Sequence, residues 1–519
     1  MPTAYVNGYN PFTFADFSGG INLRDKADAV GDKEAIDLLN VTFTERGAIR
    51  QRDGYADFTI ADLANRVDSL SPFYTAGGLR HLIAGCGTRL EALQNDGSLI
   101  ASKTSLVGGP YTFARFASPG SEYIYCANGS DLPQRWNGFG WAEPTATVNG
   151  VAGSSMPRAG ALTVTATVPG STSGTNAANR LIATAFGTQA NGGPGGMATT
   201  PSRWFASNAG QPEIWETDGA GTPARGRNFG DLTPGDGESI MTAVTWRELV
   251  IIFKESKFFV LWGESPAADG TPVFNFREVV NNVGLASKKA VAVGRDGVYF
   301  FNRRGIYRTT GQDPVLLSDK ISPLWTGDPD VYYQGNPINL ARLELVRMEW
   351  HQEQLFVAIP TGTSTFCDRL LVYDTQHDWW TVYDIAASAL AVFRRSDREE
   401  LHHGYATGLN RIGHRNYGST DDRGGRIVSR WRSGWSDYQQ PVQKTFRETK
   451  IWGSGAATVS FSVDFNRGLV ANLPLIYGGE STWPVGPAGN TYAGTKAKYA
   501  TYQALKDSGI DYATLRTAT

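Results

Sequence analysis

Residues 242–265 read TAVTWRELVIIFKESKFFVLWGES. Two nearly unbroken apolar runs, Leu249–Phe253 and Phe258–Leu261, flank the charged turn Lys254-Glu255-Ser256-Lys257, and Arg247-Glu248 breaks the chain again after Thr242–Trp246. β-Branched and aromatic residues fill the runs, the composition that pleated surfaces favour. The stretch therefore reads as three short strands in an antiparallel meander. The runs fall well short of the ~20 apolar residues of a membrane helix. They also lack strict alternation, so both faces of the sheet are expected to be covered. A meander buried on both faces needs a neighbouring sheet on each side, which predicts repetition, with Trp246, Phe259 and Trp262 in the core.

Outward from this stretch the pattern recurs. Strand centres, read as the inner strand of each copy, fall at Ile83, Tyr125, Phe205, Ile252, Phe300, Val357 and His403, with steps of 42, 80, 47, 48, 57 and 46 residues. Two copies match closely: Tyr125-Cys-Ala-Asn-Gly leads through Pro133 to Trp136, and Phe205-Ala-Ser-Asn-Ala-Gly through Pro212 to Trp215. A tandem period of about 40–50 residues with four strands per unit is the signature of a β-propeller. The expected fold is all-β, a β-propeller of about seven four-stranded blades with a small C-terminal β element. The copy at His403 is the weakest, because Asp397–His403 is polar; it is either a blade or part of the closing element. The long step holds residues 143–200, rich in Gly, Ala, Ser and Thr, read as an excursion from one blade.

At the N-terminus, Asp32–Leu39 is compatible with a short helical turn. Leu39–Thr44 and Ala48–Arg52 form a hairpin across Glu45-Arg46-Gly47, and Asp53-Gly54-Tyr55 ends it. After the repeats, Arg426–Tyr438 and Thr445–Phe465 read as further strands. Thr458–Phe465 alternates with period two, as half-buried strands do. Lys496–Asp507 is a candidate short helix. The expected organisation is an N-terminal arm and hairpin over 1–62, a propeller over 63–418 with an insertion at 143–200, C-terminal strands over 419–475 and a tail over 476–519.

Composition narrows the chemistry. A formal net charge of -2 argues against a polyanion binder. The three cysteines, Cys86, Cys126 and Cys367, are far apart and without a CxxC pair, so buried free thiols are expected rather than disulfides or zinc. The first twenty residues lack the basic and apolar regions of a secretory signal, so synthesis and folding in a cytoplasm are expected. Among the histidines no HExxH or HxH occurs. His402 and His403 are adjacent, so a strand points them to opposite faces; a solvated pair is expected. No GxSxG elbow is present. Asp374, Asp378 and Asp384 are close in sequence, but Asp374 and Asp378 flank a turn, where Asp serves the backbone. The segment Gly294-Arg295-Asp296-Gly297 is a partial echo of an Asp-box, equally explained by a hairpin turn. Gly453-Ser454-Gly455 leads into a strand, with no helix N-terminus to receive a phosphate. No catalytic, cofactor or metal residue is nominated, and the chain is read as not an enzyme.

One local charge excess remains. Arg394–Lys450 holds twelve Lys/Arg against seven Asp/Glu. There Arg423, Arg426, Arg430 and Arg432 interleave with Trp431 and Trp435. Nucleic-acid grooves use that mixture, as do protein interfaces, and a chain this neutral favours an interface. With Phe14 and Phe17 of the arm, these six residues are the candidate interface.

Three stretches carry a resemblance to a known family: Phe14–Leu23 (FADFSGGINL) with Leu38–Tyr55, the blade text Gly294–Arg308 and Leu370–Asp384, and Lys444–Phe465 (KTFRETKIWGSGAATVSFSVDF). They resemble β-propeller tail proteins of bacteriophages: the tail-nozzle or packaged-DNA stabilisation proteins of short-tailed phages and related minor tail proteins. The resemblance spans most of residues 12–465; the insertion at 143–200 and residues 466–519 fall outside it. It implies a virion location, self-assembly into a ring, usually sixfold, around the DNA exit channel, and docking to other tail or head–tail connector proteins. DNA would pass without sequence-specific binding, past acidic lumen residues. It supplies no catalytic residues. The alternative is a carbohydrate-binding or glycoside-hydrolysing propeller acting on host surface glycans, with Trp379 or Trp380 stacking on sugar.

Overall fold

The computed structural model describes residues 13–118, 121–165, 179–186, 200–217, 220, 228–266, 272–279, 282–328, 333, 335–395 and 398–436, and four strands beyond them. The chain divides into two units, Thr13–Gly434 and Met1–Phe12 with Trp435–Thr519.

The stretch 242–265 is three strands, Thr242–Trp246, Leu249–Phe253 and Phe258–Pro266, and a fourth, Pro272–Val279, completes the sheet. Trp246 pairs with Leu249, which leaves Arg247-Glu248 as a two-residue turn. Arg247 adopts φ 53° there, and its guanidinium lies 4.4 Å from the Trp246 ring. Both faces are buried. Ile251, Phe253, Phe258 and Val260 pack with Val298 and Phe300 of the following sheet. Val250, Ile252, Phe259 and Leu261 pack with Ile182, Trp204 and Ala206 of the preceding one. At about 1.5–3 kcal/mol per fully buried large apolar side chain, this wall-to-wall burial is what holds neighbouring sheets together. Trp246 and Phe259 are core as expected, but Trp262 is 37% exposed. It pairs with Leu249, the first residue of the second strand, and the third strand runs past it into a bulge.

Among the described residues seven such four-stranded sheets occur. Their first strands are Val67–Tyr74, Thr112–Ser118, Ala161–Val164, Thr242–Trp246, Val291–Val293, Arg347–His351 and Ala387–Arg394, and each lies against the next, the last against the first. The sheets are therefore blades around a central channel, and the fold is an all-β propeller. An additional three-stranded sheet, in which Thr145–Val148 pairs with Val151–Ser155 and, in parallel, with Ile214–Trp215, packs with the second and third blades. Counting it gives eight blade-like sheets, one more than the copies marked in the sequence.

Six of the seven sequence centres sit on second strands, and Phe205 sits on the third strand of its blade, Arg203–Ala206. None is on an innermost strand. Second strands are walled by protein on both faces and read as apolar runs; innermost strands border the channel and keep polar residues. The stretch 143–200 is more than an excursion: it holds two strands of the additional sheet and the first two strands of the third blade, Ala161–Val164 and Leu181–Thr184. Residues 35–39, read within a helical turn, form strand Ala35–Leu39, antiparallel to Arg430–Ser433. The polar copy at His403 is a complete blade. Its strands Ala387–Arg394, Glu399–Tyr405 and Ile412–Asn416 are completed by the N-terminal strand Gly54–Asp57, so Asp53-Gly54-Tyr55 begins a blade strand rather than ending a hairpin. The hairpin itself is as expected, Val41–Phe43 against Ile49–Gln51.

The second unit contains strands Glu448–Ile451 paired with Ser481–Pro484 and Ala457–Phe461 paired with Ala471–Leu475, a small C-terminal β element. The candidate helix at 496–507 lies outside the described residues.

The turn Lys254–Lys257, read only as a polar break, hides a tie between blades. Lys254 is fully buried. Its ammonium donates to Ser202 Oγ and Leu232 O, each at 2.9 Å, and to Asp236 Oδ2 at 2.8 Å. Replacing it by methionine takes the buried ammonium from Ser202, Leu232 O and Asp236, which keeps only the longer ion pair with Lys257 at 3.2 Å, at a cost of about 3 kcal/mol. Urea unfolding of Lys254→Met is expected to show that loss, with an unchanged slope.

Candidate functional site

The two ends of the propeller unit meet at the seventh blade. Strand Gly54–Asp57 lies along Ile412–Asn416, pairing Gly54 with Asn416 and Asp57 with Gly413. Just before it sits Arg52, whose side chain is 1% exposed. Its Nε donates to Asn40 Oδ1 at 2.8 Å. One terminal nitrogen reaches Asp53 O at 3.1 Å and Asp422 Oδ1 at 2.8 Å, the other Asp422 Oδ2 at 2.6 Å and Asp384 Oδ1 at 3.1 Å. A guanidinium has five N–H donors, and all five are matched. Burial works against its charge, but Asp422 and Asp384 outweigh that and raise its pKa. The carboxylates on either side are matched in turn. Asp53 accepts from Arg415 at 2.8 Å and Arg50 at 2.7 Å. Asp57 accepts from Tyr405 at 2.7 Å, Arg411 at 2.8 Å and Arg423 at 2.9 Å. Gly54 is required by contact: a Cβ there would lie 1.8 Å from Asp421 O.

The arm before this clasp lies along the outer strand of the sixth blade, Trp379–Tyr383. Ile21 N–H donates to Trp380 O, Asn40 N–H to Val382 O, and Thr381 Oγ1 to Val41 O. Phe43 meets Trp379 edge-on at 5.0 Å. Trp379 and Trp380 are 3% and 1% exposed, so neither can stack on a sugar.

The structure brings part of the candidate interface together. Phe14, Phe17 and Trp431 form one aromatic cluster, with Phe17 5.0 Å and Phe14 6.1 Å from Trp431, both edge-on. All three are half-buried. Phe17 N–H also donates to Gly47 O at the hairpin tip. Arg430 forms a fork-like pair with the fully buried Asp37, at 2.7 and 3.1 Å. Arg432, also half-buried, sits opposite Asp37 in the strand register. Arg423 lies apart, over Tyr405, and Arg426 is exposed in the hairpin Asp421-Asp422/Gly425-Arg426. Trp435 belongs to the other unit. Sequence reading missed the clasp of Arg52, Asp53, Asp57, Asp384 and Asp422, weighing Asp384 only beside Asp374 and Asp378, because partners some 350 residues apart leave no local pattern.

The remaining sequence candidates serve the fold. Asp374 accepts from Gln376 N and His377 N, and Asp378, at φ 55°, accepts from Tyr373 OH. Asp296 accepts from Tyr299 OH and pairs with Arg308. All three cysteines are buried and unpaired, and burial pushes the Cys367 thiol to about 12. His402 and His403 point to opposite faces but are not solvated: they are 0% and 4% exposed. His402 packs against Phe58 and His414, His403 against Tyr55 and Tyr405. Burial pushes both down to about 3. Among the described residues no group of three His, Cys, Asp or Glu side chains could hold a metal ion, and no helix is long and apolar enough to cross a membrane.

No family model and no curated protein matches the chain. Among solved structures, it is similar to BBS1N in a complex with ARL6DN, with a TM-score of 0.40 and 10% identity over 71% of this chain and 99% of that one. A streptogramin B lyase gives 0.35 and 10% over 69% and 96%, and the Dos1 propeller 0.37 and 9% over 80% and 97%. These likenesses concern the fold; the propeller assignment rests on the strand order above.

Two measurements check this site. Gly54→Ala forces the 419–422 turn away and loosens the Asp422–Arg52 pair; equilibrium unfolding is expected to lose about 2 kcal/mol, the scale of overpacking a filled site. For His403 the folded pKa lies below the ordinary 6.5, so the unfolded chain binds more protons between about 6.5 and 3. Its contribution is complete above 6.5 and is lost as pH falls. Between pH 6 and 4 the wild type is expected to lose about 1.4 kcal/mol per pH unit more than His403→Gln; equal slopes by chemical denaturation contradict this.

Proposed function

We propose that this chain is a structural, non-enzymatic protein of a bacteriophage tail, one subunit of a ring around the DNA exit channel. The observation that carries this reading is where the phage-like text falls. Its N-terminal stretches, Phe14–Leu23 and Leu38–Tyr55, make the arm and the clasp. The residues Arg50-Gln51-Arg52-Asp53-Gly54-Tyr55 supply the buried guanidinium, the paired carboxylate and the first residues of the closing strand. A text spent on locking a propeller shut suits a part that must stay rigid while DNA passes. The half-buried Phe14, Phe17 and Trp431, with exposed Val428 and Arg426 close to Trp431 in the chain and exposed Ile49 in the hairpin that Phe17 bonds at Gly47, supply the aromatic, aliphatic and basic anchors typical of interfaces. Neighbouring copies or connector proteins would dock there.

The test is electron microscopy of purified particles in which the full chain carries a small C-terminal label. The expected result is label in a ring on the tail axis, about six copies per particle as closed cyclic assemblies allow. Label off the axis, or a single copy per particle, sinks the proposal.

A further inference from the structure

The seven first strands run in the same direction, since each blade begins at the channel and each outer strand leads back to the next inner one. The residues that begin them therefore gather at one mouth of the channel. Lys288 and Lys289 precede the fifth blade, Arg347 opens the sixth, Asp68 follows the opening residue of the first, and Phe113 follows that of the second.

The two lysines reach across this throat. Lys289 Nζ lies 5.2 Å from the Phe113 ring, on a blade three places away. Lys288 Nζ lies 3.2 Å from where a Cβ on Gly160, at the entry of the third blade, would stand. Neither ammonium has a hydrogen bond or an ion pair with a described residue. Arg347 is 9% exposed, and its terminal nitrogen is held by Glu344 O and Val346 O, but its buried Nε has no hydrogen-bond partner. Such an arrangement differs from the rest of the molecule, where Lys254, Arg52 and Arg430 each meet carboxylates at hydrogen-bond distance. Cations crowded by protein and left without an acceptor are costly unless an anion joins them.

We infer that this throat is a binding site for a small oxyanion, a phosphate-like or carboxylate group, held between Lys288, Lys289 and Arg347 with the Phe113 ring and the Gly160 backbone as its far wall. A Cβ on Gly160 would stand 2.5 Å from Ala185 O, so this wall is built for glycine. The charged and titratable groups facing Lys289 are Lys288, Arg347, Asp68, Glu349 and the Cys126 thiol. Burial and the neighbouring cations hold Lys289 down at about 7, and burial lifts Asp68 to about 6 and Glu349 to about 7. An anion favours the charged lysine and the protonated carboxyls, so binding takes up protons and tightens as pH falls from 8 to 6.

The experiment uses the full chain, with thermal unfolding and calorimetry against sodium sulfate and sodium malonate, each compared with sodium chloride at equal ionic strength. Sulfate stands for phosphate because its charge is constant over this pH range; malonate stands for a carboxylate ligand. The expected result is a saturable rise in Tm with one anion or both, beyond that of chloride, and several-fold tighter binding at pH 6 than at pH 8. Lys289→Met and Lys288→Met are each expected to weaken it by about tenfold or more, the scale of one charged hydrogen bond, while Arg426→Ala leaves it unchanged. Which anion binds more tightly assigns the ligand class. No response beyond chloride from either anion overturns the inference, as does a response that both methionine variants retain. If the variants fail to fold, weaker or equal wild-type binding at pH 6 does so.

Discussion

A ring of sheets has to be closed, and here closure depends on one buried guanidinium. Residues 387–416 supply three strands of the seventh blade and lack only its outer edge, and that edge comes from Gly54–Asp57, more than 350 residues away along the chain. Left unfilled, the edge would expose a row of backbone donors and acceptors. Backbone pairing alone permits register slips, and a one-residue slip turns every side chain to the opposite face. Arg52 prevents this because its five donors meet four residues drawn from the arm, the end of the sixth blade and the hairpin after the seventh. Moving the strand by one residue would leave Asp422 and Asp384 facing a gap, and uncompensated buried charge is the most expensive local defect available.

The same geometry explains why the N-terminal segment does two things at once. To reach the seventh blade from the far side of the sixth, residues 21–43 run along the sixth blade's outer strand, and they bury it. Trp380 donates its indole N–H to Leu317 O and lies beneath the arm. Asp37, fully buried, takes both bonds of Arg430, so the strand after the propeller is fastened to the arm and not to a blade. Arm, sixth blade and closing strand are thus coupled: a change at Gly54 is felt by the hairpin at 419–422 and, through Asn40, by the arm.

The repeat was legible in the sequence because turns are local. Arg247-Glu248 and Lys254–Lys257 marked the hairpins of the fourth blade, and Leu249–Phe253 and Phe258–Leu261 marked its walls. The place of each strand in the ring was less legible. Arg347–His351 reads as mixed polar and aromatic because it is an innermost strand with one edge unpaired toward the channel, while Gln354–Ile359 reads as continuous core. The polar text of the seventh blade hid its nature for another reason: His402 and His403 are buried against aromatic rings, a role that residue type alone does not announce. Of the candidate interface, the basic run and the aromatics of the arm were visible as composition, but their meeting at Trp431 was not. It depends on Ala35–Leu39 pairing with Arg430–Ser433, two segments nearly 400 residues apart.

Two lysines show how position decides what a charge is for. Lys254 lies between two apolar blade walls, where an unmet ammonium would be intolerable, and it has acceptors on every side: a hydroxyl, a carbonyl and both oxygens of Asp236. Its charge is consumed by the fold and can only hold blades together. Lys289 stands where the walls end and the channel begins. Protein surrounds it closely enough to depress its basicity, yet the nearest partner is the face of an aromatic ring. At this mouth Lys288 and Lys289 keep charge that no described residue meets at hydrogen-bond distance, although Asp68 and Glu349 act on Lys289 electrostatically.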